Sequence, residues 1–115
     1  MREPYVTAVE LPAFARQARA VWSEAEFETF VTFIASHPEA GDLVSGGGGM
    51  RKIRWGRAGM GKRSGVRVIY YYTDRRWPLF LFNIYAKNEK SDLSAADRIG
   101  LRKLIAELKA VRKLS

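Results

Sequence analysis

The spacing of apolar positions changes several times along this chain, and each change predicts an element. Tyr5-Val6-Thr7-Ala8-Val9 reads as a short strand stopped near Pro12, and Phe14 to Val21 as a short helical stretch. A better-signalled helix follows. Ser23 can cap it, Glu26 three residues later completes a capping box, and Phe27, Phe30, Val31 and Ile34 recur at helical spacing. It ends before Ser36-His37-Pro38, because proline disfavours helix at the residue preceding it.

After Gly41-Asp42 and four glycines the period becomes two. In Met50 to Trp55, Ile53 and Trp55 point to one side, Lys52 and Arg54 to the other, as in a half-buried strand. Gly56 to Gly65 forms a basic connection. Val66 to Thr73 is β-branched and aromatic and reads as a central strand; Asp74 to Pro78 turns it; Leu79 to Ala86 is another strand. A last helix is capped by Ser94, with Asp97 in its first turn. Leu101, Leu104, Ile105, Leu108 and Val111 form its apolar stripe against Arg102, Lys103, Lys109 and Lys113. The order β-α-α-β-β-β-α predicts an α+β domain, with an antiparallel sheet core and helices packed on it.

Composition narrows the class. At 115 residues the chain is expected to be a single domain, 1–115, and 47% hydrophobic with 12% aromatic residues is too apolar for disorder. No apolar run is long enough to span a membrane. The opening MREPYVTAVELP lacks the features of a signal peptide, so a soluble cytoplasmic protein is expected. The absence of cysteine excludes disulfides, thiolate nucleophiles and Cys-based zinc sites.

The net charge of +8 is unevenly placed: residues 1–49 carry −4, residues 50–76 carry +8 and residues 77–115 carry +4. A localised positive surface follows, and nucleic acid is its natural partner.

Several chemistries drop out. Gly56-Arg57-Ala58-Gly59-Met60-Gly61-Lys62 meets the GxxxxGK spacing of a phosphate-binding loop. Arg63, however, stands where Ser or Thr must hold magnesium, and a strand follows instead of a helix. The run Gly46 to Gly49 reads as a flexible connector, with backbone cradling of a phosphate as the alternative. His37 is the single histidine, so a two-histidine ribonuclease mechanism is impossible. Asp42, Asp74, Glu89 and Asp92 have no recognisable metal-ligand spacing, so neither a metal nor another cofactor is expected.

What remains is a group of cations and hydroxyls on neighbouring strands. Lys52 and Arg54 share a face of the first meander strand, Arg67 lies on the next, and Tyr85 and Lys87 share a face at the end of the third. Singly, each has an ordinary reading as an edge lysine or a core tyrosine with a wet hydroxyl. If the strands pair as a meander, they converge. Such a cluster could hold backbone phosphates and stabilise a pentavalent phosphorane. RNA supplies its own 2′-hydroxyl nucleophile, and a lysine whose pKa is lowered by neighbouring cations, or a tyrosine, could transfer the protons.

The stretches HPEAGDLVSGGGGMRKIRW, GKRSGVRVIYYY and LFNIYAKNEKSDLS, taken together, give the chain a family resemblance. It resembles toxins of the RelE superfamily, of the HigB type, from bacterial type II toxin–antitoxin pairs. The resemblance implies a microbial-RNase-like fold and a metal-independent endoribonuclease that cleaves messenger RNA in the ribosomal A site through 2′-hydroxyl attack. It implies Lys52, Arg67, Tyr85 and Lys87 as catalytic residues. Lys52 is the better base of its pair, because arginine is a poor proton acceptor. Arg51, Arg54, Arg57, Lys62, Arg63, Asn88 and Lys90 would grip RNA. Asn88 and Ser94 stand where the best-known RelE pattern has an arginine and a tyrosine. The implied partner is an antitoxin with a helix-turn-helix domain, through which alone operator DNA would be bound. Two other functions fit the fold: a gyrase-inhibiting toxin, and a non-catalytic RNA-binding module.

Overall fold

The computed structural model describes residues 5–56, 65–86 and 93–114. Its elements are β1 (Ala8–Glu10), α1 (Pro12–Val21), α2 (Glu24–Ser36), β2 (Asp42–Leu43), β3 (Met50–Trp55), β4 (Val66–Tyr71), β5 (Leu79–Ala86) and α3 (Ala95–Lys113). The strands form one sheet in the order β1-β5-β4-β3-β2. The expected meander of β3, β4 and β5 is antiparallel throughout. Two features go beyond the expectation: β1 pairs with β5 in parallel, making the sheet mixed, and β2 adds a two-residue edge strand beside β3.

Local chemistry explains the shifted boundaries. The first strand begins at Ala8, later than expected, because the Val6 amide is bonded to the Ala35 carbonyl at the end of α2. Helix α1 begins at Pro12, two residues earlier than expected, since a proline at the first helical position lacks only an amide that would be unpaired there anyway. The predicted capping box of Ser23 with Glu26 forms, and the predicted Ser94 cap forms too, completed into a second box by Asp97.

The core has two halves, one on each face of the sheet. Phe14, Ala18, Trp22, Phe30 and Ile34 from α1 and α2 pack against Val66, Val68, Tyr70, Leu79, Leu81 and Ile84. On the other face Leu101, Leu104, Ile105 and Leu108 of α3 pack with Met50, Ile69, Tyr71, Phe80 and Phe82. Helices on both faces account for the near-continuous apolar character of β4 and β5. Val111, expected in the α3 stripe, is 55% exposed; the end of the helix is held instead by Arg112, which donates to Thr73 and Asp74 and lies over the Trp77 ring.

The glycine run is an ordered hairpin turn and not a loose connector. The Val44 amide donates to the Met50 carbonyl and the Gly47 amide to the Val44 carbonyl, while Gly46, Gly48 and Gly49 have φ of 69°, 68° and 108°. A Cβ at Gly49 would lie 2.9 Å from the Tyr71 ring, so the backbone passes where only glycine fits.

Residues 37–41 are clipped to the sheet from below. The Tyr70 hydroxyl donates to the Pro38 carbonyl at 2.9 Å and accepts from the Gly41 amide at 2.8 Å. Burial pushes the pKa values of Tyr70, Tyr71 and Tyr72 above the ordinary 10.0.

Two outcomes follow from these tyrosines. Tyr70→Phe strands the buried Gly41 amide and should cost about 1 to 3 kcal/mol in urea unfolding. Because the folded-state values are raised, the tyrosine contribution is fully present below pH 10 and is lost as pH climbs through the folded values. Denaturant midpoints should therefore fall above pH 10, and less steeply in Tyr70→Phe.

Candidate functional site

The register of the meander assembles the cations. Arg54 on β3 lies directly opposite Arg67 on β4, and Arg67 directly opposite Tyr85 on β5. Side chains in such a row share a face with Cβ atoms about 5 Å apart. Lys52 lies two positions from Arg54 on the same face, while Ile53 and Trp55 pack on the opposite one against α1 and α2. Lys52, Arg54, Arg67 and Tyr85 are thus brought together on the α3 side of the sheet.

The described contacts of α3 fall on the far end of that side. Its apolar stripe covers Met50 and Tyr71, and its last turn reaches Thr73 and Asp74. Met50 and Arg54 are four residues apart on β3, about 13 Å at strand rise. Lys52, Arg54 and Arg67 therefore lie toward the end where the chain leaves β3, while Tyr85 is buried in the same cluster as the α3 stripe.

Arg67 is the most unusual member. It is 8% exposed, on a strand whose other residues are all apolar or tyrosine, and its Nη1 is buried with no hydrogen-bond partner among the described residues. A buried guanidinium without a carboxylate, directly across from a second one, is an unfavourable arrangement in the absence of an anion. A bridging phosphate would relieve both costs, since guanidinium groups match phosphate oxygens in a planar fork.

Arg51 stands apart from this group. It points to the opposite face, and its Nη1 donates to the carbonyls of Glu39 at 3.2 Å and Gly41 at 2.7 Å, helping Tyr70 to hold the same loop. Ser94 is engaged as the α3 cap, its Oγ accepting from the Asp97 amide at 3.0 Å. His37 caps α2, stacked on Phe33 with Nδ1 at 3.0 Å from Ser36 Oγ. Lys87, Asn88, Lys90, Arg57, Lys62 and Arg63 lie outside the described residues. Among the described residues no three His, Asp or Glu side chains cluster to hold a metal ion, and no helix is long and apolar enough to cross a membrane.

Tyr85 reaches the Arg67 face through a feature the sequence reading missed. Ile69 pairs with Asn83 but Tyr70 pairs with Leu81, so Phe82 is an extra residue, a β-bulge in β5. The available signal was Asn83, the lone polar residue of LFLFNIYA.

A family model described as the RelE toxin of the RelE / RelB toxin-antitoxin system matches residues 12–115.

If Arg67 is an unsatisfied phosphate receptor, inorganic phosphate should raise the melting temperature. At ten times the dissociation constant the gain is about 1.4 kcal/mol. Arg67→Met should abolish that response, and in phosphate-free buffer should itself be more stable by about 1 kcal/mol or more, because a buried unpaired charge is removed. Paired thermal melts with and without phosphate check both.

Proposed function

Because the chain belongs to the RelE toxin family and is the toxin partner of a RelB-type antitoxin in a type II pair, we propose that it is a ribosome-dependent messenger-RNA endonuclease. The observation that carries this reading is the Arg54–Arg67–Tyr85 row with Lys52 beside it, in which Nη1 of the buried Arg67 has no hydrogen-bond partner among the described residues.

In this mechanism Arg67 and Arg54 hold the scissile phosphate, and Lys52 takes the proton from the 2′-hydroxyl. The 2′-oxygen attacks phosphorus as the bond to the 5′-oxygen of the next nucleotide breaks. Tyr85 gives its proton to that leaving oxygen, leaving a 2′,3′-cyclic phosphate and a 5′-hydroxyl. The extra negative charge of the phosphorane forms beside the buried Arg67 guanidinium, which stabilises the transition state more than the ground state. No step requires a metal. Lys87 stays a candidate donor from the sequence, and Arg57, Lys62, Arg63, Asn88 and Lys90 stay candidate RNA contacts. The chain's HigB-type subdivision, for which the IYAKNE pattern speaks, its action in the cytoplasm and an antitoxin with a helix-turn-helix domain belong to the same reading.

Purified toxin added to translating ribosomes should cut messenger RNA in translated regions and leave 2′,3′-cyclic phosphate and 5′-hydroxyl ends. Arg67→Ala should slow cleavage by roughly 100-fold or more. Loss of RNA binding should be much smaller, since phosphate contacts are shared among many cations. Growth arrest with intact messenger RNA would sink the proposal; if DNA damage accompanied it, gyrase would be the target instead.

A further inference from the structure

We infer that Gln17 of α1, which touches neither the cationic row nor β4 through any described hydrogen bond, is a positioning residue for the site on the opposite face of the sheet. This rests on the reading of that site as a nuclease centre containing Tyr85.

The argument starts from parity along β5. Leu79 and Leu81 pack toward α1 and α2, Phe80 and Phe82 toward α3. Strict alternation would continue this pattern, sending Ile84 to the α3 side and Tyr85 to the α1 side, away from Arg67. The structure does the reverse: Ile84 belongs to the α1–α2 core and Tyr85 to the α3 side, opposite Arg67. The extra residue at Phe82 is what inverts the faces.

The backbone follows the same inversion. Before the bulge it is odd-numbered residues whose groups face β1: the Leu79 amide donates to the Thr7 carbonyl and the Leu81 carbonyl accepts from the Leu11 amide. After the bulge it is the Ile84 amide that points outward. By then β1 has ended and the chain has turned into α1 at Pro12, so no strand is present to accept from it. Gln17 takes that place. Its Oε1 accepts from the Ile84 amide at 3.0 Å and from Asn83 Nδ2 at 3.4 Å. One side-chain oxygen thus bonds both residues that follow the bulge, and stands in for the missing strand at the point where the face of Tyr85 is decided. An unbonded amide there would favour any register that buries or pairs it differently, including the one that turns Tyr85 away.

The test uses Gln17→Met, which keeps the length of the side chain and removes the acceptor, and Gln17→Glu, which restores it. In cleavage assays on translating ribosomes, Gln17→Met should lower kcat by roughly 100-fold, the effect of misplacing a reacting group by about 1 Å. KM should stay near wild type, because Lys52, Arg54 and Arg67 are untouched, and Gln17→Glu should recover most of kcat. A second readout needs no activity: nuclear Overhauser contacts between the Tyr85 ring and the Arg67 side chain should be present in wild type and Gln17→Glu and weakened in Gln17→Met, with faster hydrogen exchange at the Ile84 amide. Unchanged Tyr85–Arg67 contacts in Gln17→Met would overturn the inference. So would a change confined to melting temperature with kcat intact. If the wild-type protein cuts no messenger RNA, the functional reading falls, and the Overhauser contacts still decide whether Gln17 sets the face of Tyr85.

Discussion

Arg54 and Arg67 lie across from each other on paired strands, with no carboxylate in the described structure to separate them. A sheet tolerates such a pair only when the rest of the fold is stable enough to hold it. Here β4 supplies that stability through Val66, Val68, Ile69, Tyr70 and Tyr71, each buried against one helical layer or the other. The central strand is therefore buried at every position and, among the described residues, carries the one buried cation. Moving Arg67 to an edge strand would relieve the cost, but it would also let water screen the charge.

The same constraint explains the asymmetric placement of α3. A helix spread over the whole of its face would have to bury Arg54 and Lys52 as well. Instead its described packing is on Met50, Tyr71 and Phe80, and its end is tied down by Arg112 on Thr73 and Asp74. The hydrogen bond from the Arg112 guanidinium holds the Asp74 carboxyl below its ordinary value. Opposite faces of one sheet thus do different work: the α1–α2 side is closed and aromatic, and the α3 side is divided between an apolar end and a cationic end.

Much of this was readable in the chain. Capping boxes at Ser23 and Ser94 fixed two helix starts, because Ser followed by an acid at the third position satisfies the first amides in only one way. Alternation in Met50 to Trp55 separated Lys52 and Arg54 from Ile53 and Trp55, and the meander pairing then brought Arg67 beside them. Alternation failed in β5, since a strand buried on both faces carries no polar beat from which to count, and only Asn83 marked the break. For Arg51 alternation gave the right face, but its carbonyl partners, ten and twelve residues away in sequence, have no local signature, so its structural role was hidden behind the expected grip on RNA. The parallel pairing of β1 was equally hidden, because a three-residue strand has too few positions to declare its direction.

The glycine run has a consequence for how this chain can drift. Four identical small residues look like a repeat that could lengthen, shorten or change at little cost. The turn assigns the four positions different tolerances. Gly49 is barred from any side chain by Tyr71, and a Cβ at Gly47 would press on Val44 and Met50 at about 3 Å, whereas a side chain at Gly46 would meet nothing within 4 Å. Gly46 retains a positive φ, a conformation that asparagine also adopts. The tract is thus a position-by-position specification, in which Gly46 and Gly48, with a positive φ and open space, can accept asparagine while Gly47 and Gly49 cannot.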